Sequence, residues 1–95
     1  MRKYEMGVVF KPGLDEESLK AEIEKVKALI ERFEGAVEKI DEWGKRRLAY
    51  EIDYINEGFY VFYTFESETK APSEIESRMR IMETVIRYLI IKLDE

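Results

Sequence analysis

Tyr4, Met6, Val8 and Phe10 are apolar at every second position, and from Leu19 onward the apolar spacing changes to four and three. Period two marks a half-buried strand. The 4-3-4-3 run of Leu19, Ile23, Val26, Ile30 and Phe33 marks one face of a helix. Only residues 11–15, KPGLD, separate the two: Pro12 and Gly13 make a turn, and Asp15 is placed to cap the helix. A strand that feeds a helix at once must bring its chain back to the sheet. This one change of period therefore makes a strand-helix-strand crossover the first expectation.

The rest of the chain extends that unit. Glu16 and Glu17 fall in the first turn of a helix predicted over 16–34, where carboxylates favour the positive end of the helix dipole. Leu29 widens its apolar stripe, and Gly35 is the expected C-cap. Residues 36–52 carry strand signals in Val37, Ile40, Trp43, Leu48, Tyr50 and Ile52, the last three sharing one face. The alternation loses phase at Gly44, which predicts a bulge or bend there. DYINEG, 53–58, reads as a turn. FYVFYTFE, 59–66, is aromatic or branched on both faces and reads as a central strand. A second helix starts with Pro72 or Ser73 in its first positions and shows Ile75, Met79 and Met82 on one face. It must end near Glu83 or Thr84, because VIRYLIIKL, 85–93, reads as a last strand.

The order is thus β-α-β-β-α-β within one domain, residues 1–95. Two right-handed crossover units joined by a hairpin interlock into a four-stranded antiparallel sheet of order 4-1-3-2, an α+β fold with both helices on one face. The other face is left open. With Tyr4, Met6, Val8, Phe10, Phe59, Val61, Tyr63, Phe65, Tyr88 and Ile90 turned toward the helices, that open face receives Tyr60, Phe62, Leu89 and Ile91. Lys3, Glu5, Gly7, Val9 and Arg87 lie among them. An exposed apolar patch of this kind fits a protein partner. Aromatic open sheets also stack RNA bases, but the K/R-G-F/Y-G/A-F-V-x-F/Y run of RNA-recognition motifs is absent from GFYVFYTFE.

Composition narrows the chemistry. The 95 residues contain no cysteine and no histidine, which removes thiol nucleophiles, disulfides, zinc–thiolate sites and the usual general base near neutral pH. No cofactor, metal or small-molecule substrate is implied, and the chain reads as non-enzymatic. No apolar run reaches the ~18 residues of a membrane span, and MRKYEMGVVF lacks the features of a signal peptide, so the expected location is cytoplasmic. The net charge of −5 works against nucleic-acid binding by the molecule as a whole. Screening limits that field to about 8 Å, so a local basic cluster still acts.

Lys45, Arg46 and Arg47 form such a cluster, on the second strand, which the sheet order makes an edge. Alternation sends Lys45 and Arg47 to one side and Arg46 to the other. Cations on an edge strand deter pairing with other chains, and arginine forks suit phosphate oxygens. The two roles are compatible. Arg2, Lys3, Arg87, Lys92, Arg78 and Arg80 are candidates to extend the surface. From these residues alone the chain is an α+β interaction module. A self-associating or small-molecule-binding regulatory module of the same fold remains the alternative.

MRKYE in the first strand, EWGKRRLAYEI across the second, EGFY entering the third and RIMETVIRYLIIK at the end resemble the bacterial small-subunit ribosomal protein six family from end to end. The most specific part is Gly44-x-Arg46-Arg47-Leu48-Ala49-Tyr50-x-Ile52, followed by Asp53 where the family more often has a basic or small polar residue. With the sequence stopping at Glu95, little of the C-terminal tail of some members is expected. The resemblance implies a ferredoxin-like fold, no enzymatic activity and a place in the small ribosomal subunit. It further implies binding of 16S ribosomal RNA together with small-subunit ribosomal protein eighteen, as a heterodimer. Lys45, Arg46 and Arg47 are then RNA-proximal, and less directly Arg2, Lys3, Arg87 and Lys92.

Overall fold

A computed structural model describes residues 1–52 and 55–93, with the side chains of 49–52 excepted. Its elements are β1 (Arg2–Phe10), α1 (Glu16–Arg32), β2 (Ala36–Ile52), β3 (Ile55–Ser67), α2 (Ala71–Met79) and β4 (Val85–Lys92). The sheet order is β2-β3-β1-β4 with every neighbouring pair antiparallel, which is the expected 4-1-3-2 arrangement read from the other edge. No helix among the described residues is long and apolar enough to cross a membrane.

The expected inward residues build the core. Met6, Val8, Phe10, Val61, Tyr63 and Phe65 are buried beneath Ile23, Val26 and Ile30 of α1 and Ile75 and Met79 of α2. Tyr88 and Ile90 pack against the same cluster from β4. Tyr63 brings a polar atom into this layer and satisfies it: its hydroxyl donates to the Ile23 carbonyl at 2.9 Å. Burial, with the carboxylates of Glu24 and Glu42 adding to it, pushes the phenol far above its ordinary pKa of 10.0. The unfolded chain would release this proton above about pH 10 while the folded chain keeps it. Stability from this group is therefore complete below pH 10 and falls as pH rises beyond it. Tyr63→Phe is expected to lower the unfolding free energy by about 0.5–1.5 kcal/mol in urea titration with an unchanged slope, and to weaken the alkaline fall.

Asp15 caps α1 by accepting from the Ser18 N–H at 2.7 Å, and these bonds hold its carboxyl below the ordinary value. The other end of α1 differs from expectation. The left-handed residue is Glu34, at φ 66°, and not Gly35. Gly35 N–H bonds the Ile30 carbonyl and Glu34 N–H that of Glu31, each at 2.9 Å, a Schellman closure one residue earlier than glycine preference alone suggests. Gly35 serves close packing instead. A Cβ there would lie 2.6 Å from Ile30 Cγ2 and 3.0 Å from the Ile30 carbonyl oxygen.

Two boundaries also move. The helix α2 stops at Met79, short of Glu83 or Thr84, and residues 80–84 turn before β4. The strand pattern from Val85 set only the latest possible end, and Met82 packs on the core from outside the helix. The strand β3 begins at Ile55 rather than Phe59: Arg46 pairs with Gly58, Arg47 with Glu57 and Ile52 with Ile55. Cross-strand pairing thus overrides the turn-like composition of 55–58. Asp53 and Tyr54, in the expected turn, lie outside the described residues, as do the side chains of Tyr50 and Ile52 expected to anchor β2.

Candidate functional site

The pairing register lays out the open face row by row. Glu5 stands beside Thr64 and Ile91, Gly7 beside Phe62 and Leu89, and Val9 beside Tyr60 and Arg87. Tyr60, Phe62, Leu89 and Ile91 therefore surround Gly7, and with it they line a depression of about 220 Å³ that ends at Glu5 on one side and Arg87 on the other. Leu89 is 61% exposed and Ile91 45%, while Tyr60 and Phe62 are half-buried. The reason Phe62 is lower than its neighbours is Gly7. A Cβ at that position would lie 2.8 Å from Phe62 Cε1, so the phenyl ring rests in the space that the glycine leaves.

Val9 departs from the open surface. It points to that side by register yet is only 6% exposed, because Gly58 closes over it and Ile86 lies beside Gly58. The bare backbone of Gly58 is required: a Cβ there would sit 2.4 Å from Val9 Cγ1.

Trp43 belongs to this face and was not assigned to it by alternation. The register of β2 against β3 skips a residue between Glu42 and Gly44, where Gly44 adopts φ +89°. The resulting bulge turns Trp43 onto Phe62, with ring centroids 4.6 Å apart and planes tilted by 52°. The Trp43 indole N–H donates to Asp41 Oδ2 at 3.3 Å, and the Arg46 guanidinium carbon lies 5.8 Å from the indole ring centre. Although tied on these sides, Trp43 remains 51% exposed. The phase break at Gly44 was the signal in sequence that could have placed it. A second skip, between Val37 and Lys39, had no such glycine to announce it.

The basic triplet divides between the faces as alternation requires. Arg46 stands opposite Gly58 on the open side; Lys45 and Arg47 stand opposite Phe59 and Glu57. All three are exposed. Lys45 Nζ lies 3.6 Å from Glu57 Oε1, an exposed pair that water and salt screen heavily. Leu48, buried at 8%, holds the strand beyond them.

Arg87 lies at the same end of the sheet as the triplet, whereas Arg2, Lys3 and Lys92 stand at the other, opposite Ser67, Glu66 and Tyr4. Seven rises along β3, from Phe59 opposite Lys45 to Glu66 opposite Lys3, put about 24 Å between the triplet and Lys3. Five rises along β4 put about 17 Å between Arg87 and Lys92. Lys3 is further engaged, its Nζ 3.4 Å from Glu38 Oε1. The candidate cations of the sheet thus form two separate groups rather than a continuous stripe, and Arg78 and Arg80 lie apart from both, at the end of α2. Among the described residues no cluster of acidic side chains is arranged to hold a metal ion.

Comparison with known proteins places this geometry. The family model described as ribosomal protein S6 matches residues 3–92. The small ribosomal subunit protein bS6 of Clostridium acetobutylicum is 46% identical over 95 residues, the whole of both chains. That of Clostridium botulinum strain 657 is 47% identical over 91 residues, 96% of this chain and 97% of its own. Among solved structures, the 30S ribosomal protein S6 of Thermotoga maritima superposes with a TM-score of 0.91 at 31% identity, covering 97% of this chain and 87% of that one.

Proposed function

We propose, for a chain that belongs to the ribosomal protein S6 family of the bacterial small ribosomal subunit, that it binds 16S ribosomal RNA together with small-subunit ribosomal protein eighteen. The family is a structural one, and the role is that of a scaffold rather than a catalyst. The observation that carries the reading is the exposed apolar hollow around Gly7, flanked by Arg46 and Arg87 on a molecule of net charge −5. Exposed apolar surface is stabilised by a protein cover, and the few cations beside it neutralise too few phosphates for strong RNA binding by the chain alone. Tyr60, Phe62, Leu89 and Ile91, with Trp43 at their margin, take the protein partner. Lys45, Arg46, Arg47 and Arg87 take the nearer phosphates, and Arg2, Lys3 and Lys92 contribute from the far end.

Such phosphate contacts position the protein on RNA and carry little base information. The expected result is that the tagged chain sediments with small ribosomal subunits from cell extract at moderate salt. A chain found only at the top of the gradient would overturn the proposal. The exposure of Leu89 and Ile91 beside the β4 edge equally suits a second copy of the chain. Size-exclusion chromatography separates the readings, since a stable sheet-to-sheet homodimer would occupy the surface assigned to protein eighteen.

A further inference from the structure

The helical side of the molecule carries a second arrangement of cations. Arg32, in the last turn of α1, and Arg78, in the last turn of α2, both approach Phe33, with guanidinium carbons 6.0 and 5.9 Å from its ring centre. Both arginines are exposed, and neither makes an ion pair among the described residues. They line one wall of a groove of about 600 Å³ between α1 and the α2–β4 connection, where Lys25 adds a third cation. Glu22 and Glu83 also line the groove, and Thr84 donates to Glu22 Oε1 at 2.7 Å. Arg32 and Phe33 also border a neighbouring hollow, where Glu34, Glu68 and Glu74 stand with Lys70 and limit how far a positive field extends.

We propose that the Arg32–Phe33–Arg78 ridge, with Lys25 beside it, is a second RNA-contact site that binds backbone phosphates on the face opposite the sheet surface. Two like charges stand beside one ring, and with no ion pair at either among the described residues, each guanidinium is open to an anion. An aromatic contact restrains a guanidinium while leaving its edge N–H groups for bidentate phosphate oxygens. Helix-end placement alone also favours a cation, through the dipole, but either lysine or arginine meets that need. The carboxylates around the ridge restrict it to a short contact of one or two phosphates. RNA as the natural source rests on the ribosomal reading above.

The test uses the full chain and the arginine side-chain N–H signals in NMR, titrated with a uridine decanucleotide, inorganic phosphate and poly-glutamate. The RNA is expected to shift the Arg32 and Arg78 signals at concentrations about tenfold below inorganic phosphate, with the effect lost in high salt. The Arg32→Lys/Arg78→Lys variant, which keeps both charges, is expected to bind the RNA about five- to tenfold more weakly at an unchanged melting temperature. Unshifted arginine signals, shifts by inorganic phosphate at the same concentrations as RNA, or wild-type binding by the lysine variant would each overturn the proposal. Poly-glutamate acting as well as RNA would assign the ridge to an acidic protein instead. Any of these with intact sedimentation on small subunits counts against the ridge alone, whereas lost sedimentation counts against the ribosomal reading.

Discussion

The triple variant Lys45→Ala/Arg46→Ala/Arg47→Ala is expected to bind ribosomal RNA, in the presence of the protein partner, on the order of 100-fold more weakly than the parent chain. Three exposed charge contacts at about 1 kcal/mol each amount to about 3 kcal/mol, which is that factor. The salt dependence should flatten by two to three units, about one for each phosphate released. The fold should be nearly indifferent. All three side chains are exposed, and the Lys45–Glu57 pair at 3.6 Å is a screened surface contact. Surface replacements of this kind stay within about 0.5 kcal/mol of the parent. Filter binding at several salt concentrations, beside a urea titration, measures both quantities. Unchanged affinity of the partnered complex would remove the triplet from the RNA surface. Arg46→Ala alone should also loosen Trp43, because the guanidinium lies 5.8 Å from that ring.

The second large effect concerns the open face. Phe62→Glu is expected to weaken the association with protein eighteen by at least 100-fold in titration calorimetry. Phe62 sits in the middle of the apolar hollow, between Trp43 and the space above Gly7. A central aromatic of this kind typically carries about 2–4 kcal/mol of an interface, and a carboxylate there would also have to lose its water. Because Phe62 is half-buried, the variant carries some cost to the fold as well. Leu89→Glu gives the cleaner comparison, since Leu89 is 61% exposed and its replacement leaves the core untouched. It should reduce partner affinity by about tenfold or more with no change in melting temperature. Wild-type affinity in both variants would place the partner on another surface.

These outcomes rest on features that were unequally visible in the sequence. The alternation of β1 predicted which of its side chains enter the core, Val9 excepted, because one of its two faces was plainly apolar. The face of α1 followed from its 4-3 spacing for the same reason. The strand β3 is aromatic or branched on both faces, and its inward set was the less obvious. Boundaries were harder. Residues 55–58 have the composition of a turn yet pair with β2, since hydrogen bonds to a neighbouring strand outweigh local preference. The end of α2 depended on how many residues the chain needs to enter β4 in register, which no local pattern records. At the candidate site, Tyr60, Phe62, Leu89 and Ile91 were assigned to one face by parity alone. Trp43 was missed because a bulge reverses parity, and the side to which a bulge sends its extra residue depends on the partner strand.

The sequence by itself determined the order of elements, hence the sheet topology, and the family, through Gly44-x-Arg46-Arg47-Leu48-Ala49-Tyr50-x-Ile52 and its surroundings. It also determined that histidine and thiol chemistry are absent. Only the tertiary structure decided that the candidate cations of the sheet stand at its two ends, the triplet about 24 Å from Lys3, and that Phe62 lies down over Gly7. It alone joined Arg32 to Arg78 through Phe33. The physical reason is one of range. Periodicity is set by neighbours three or four residues away, which a sequence displays directly. Which charges share a surface is set by residues such as Arg32 and Arg78, far apart in the chain and brought together only by packing on a common sheet.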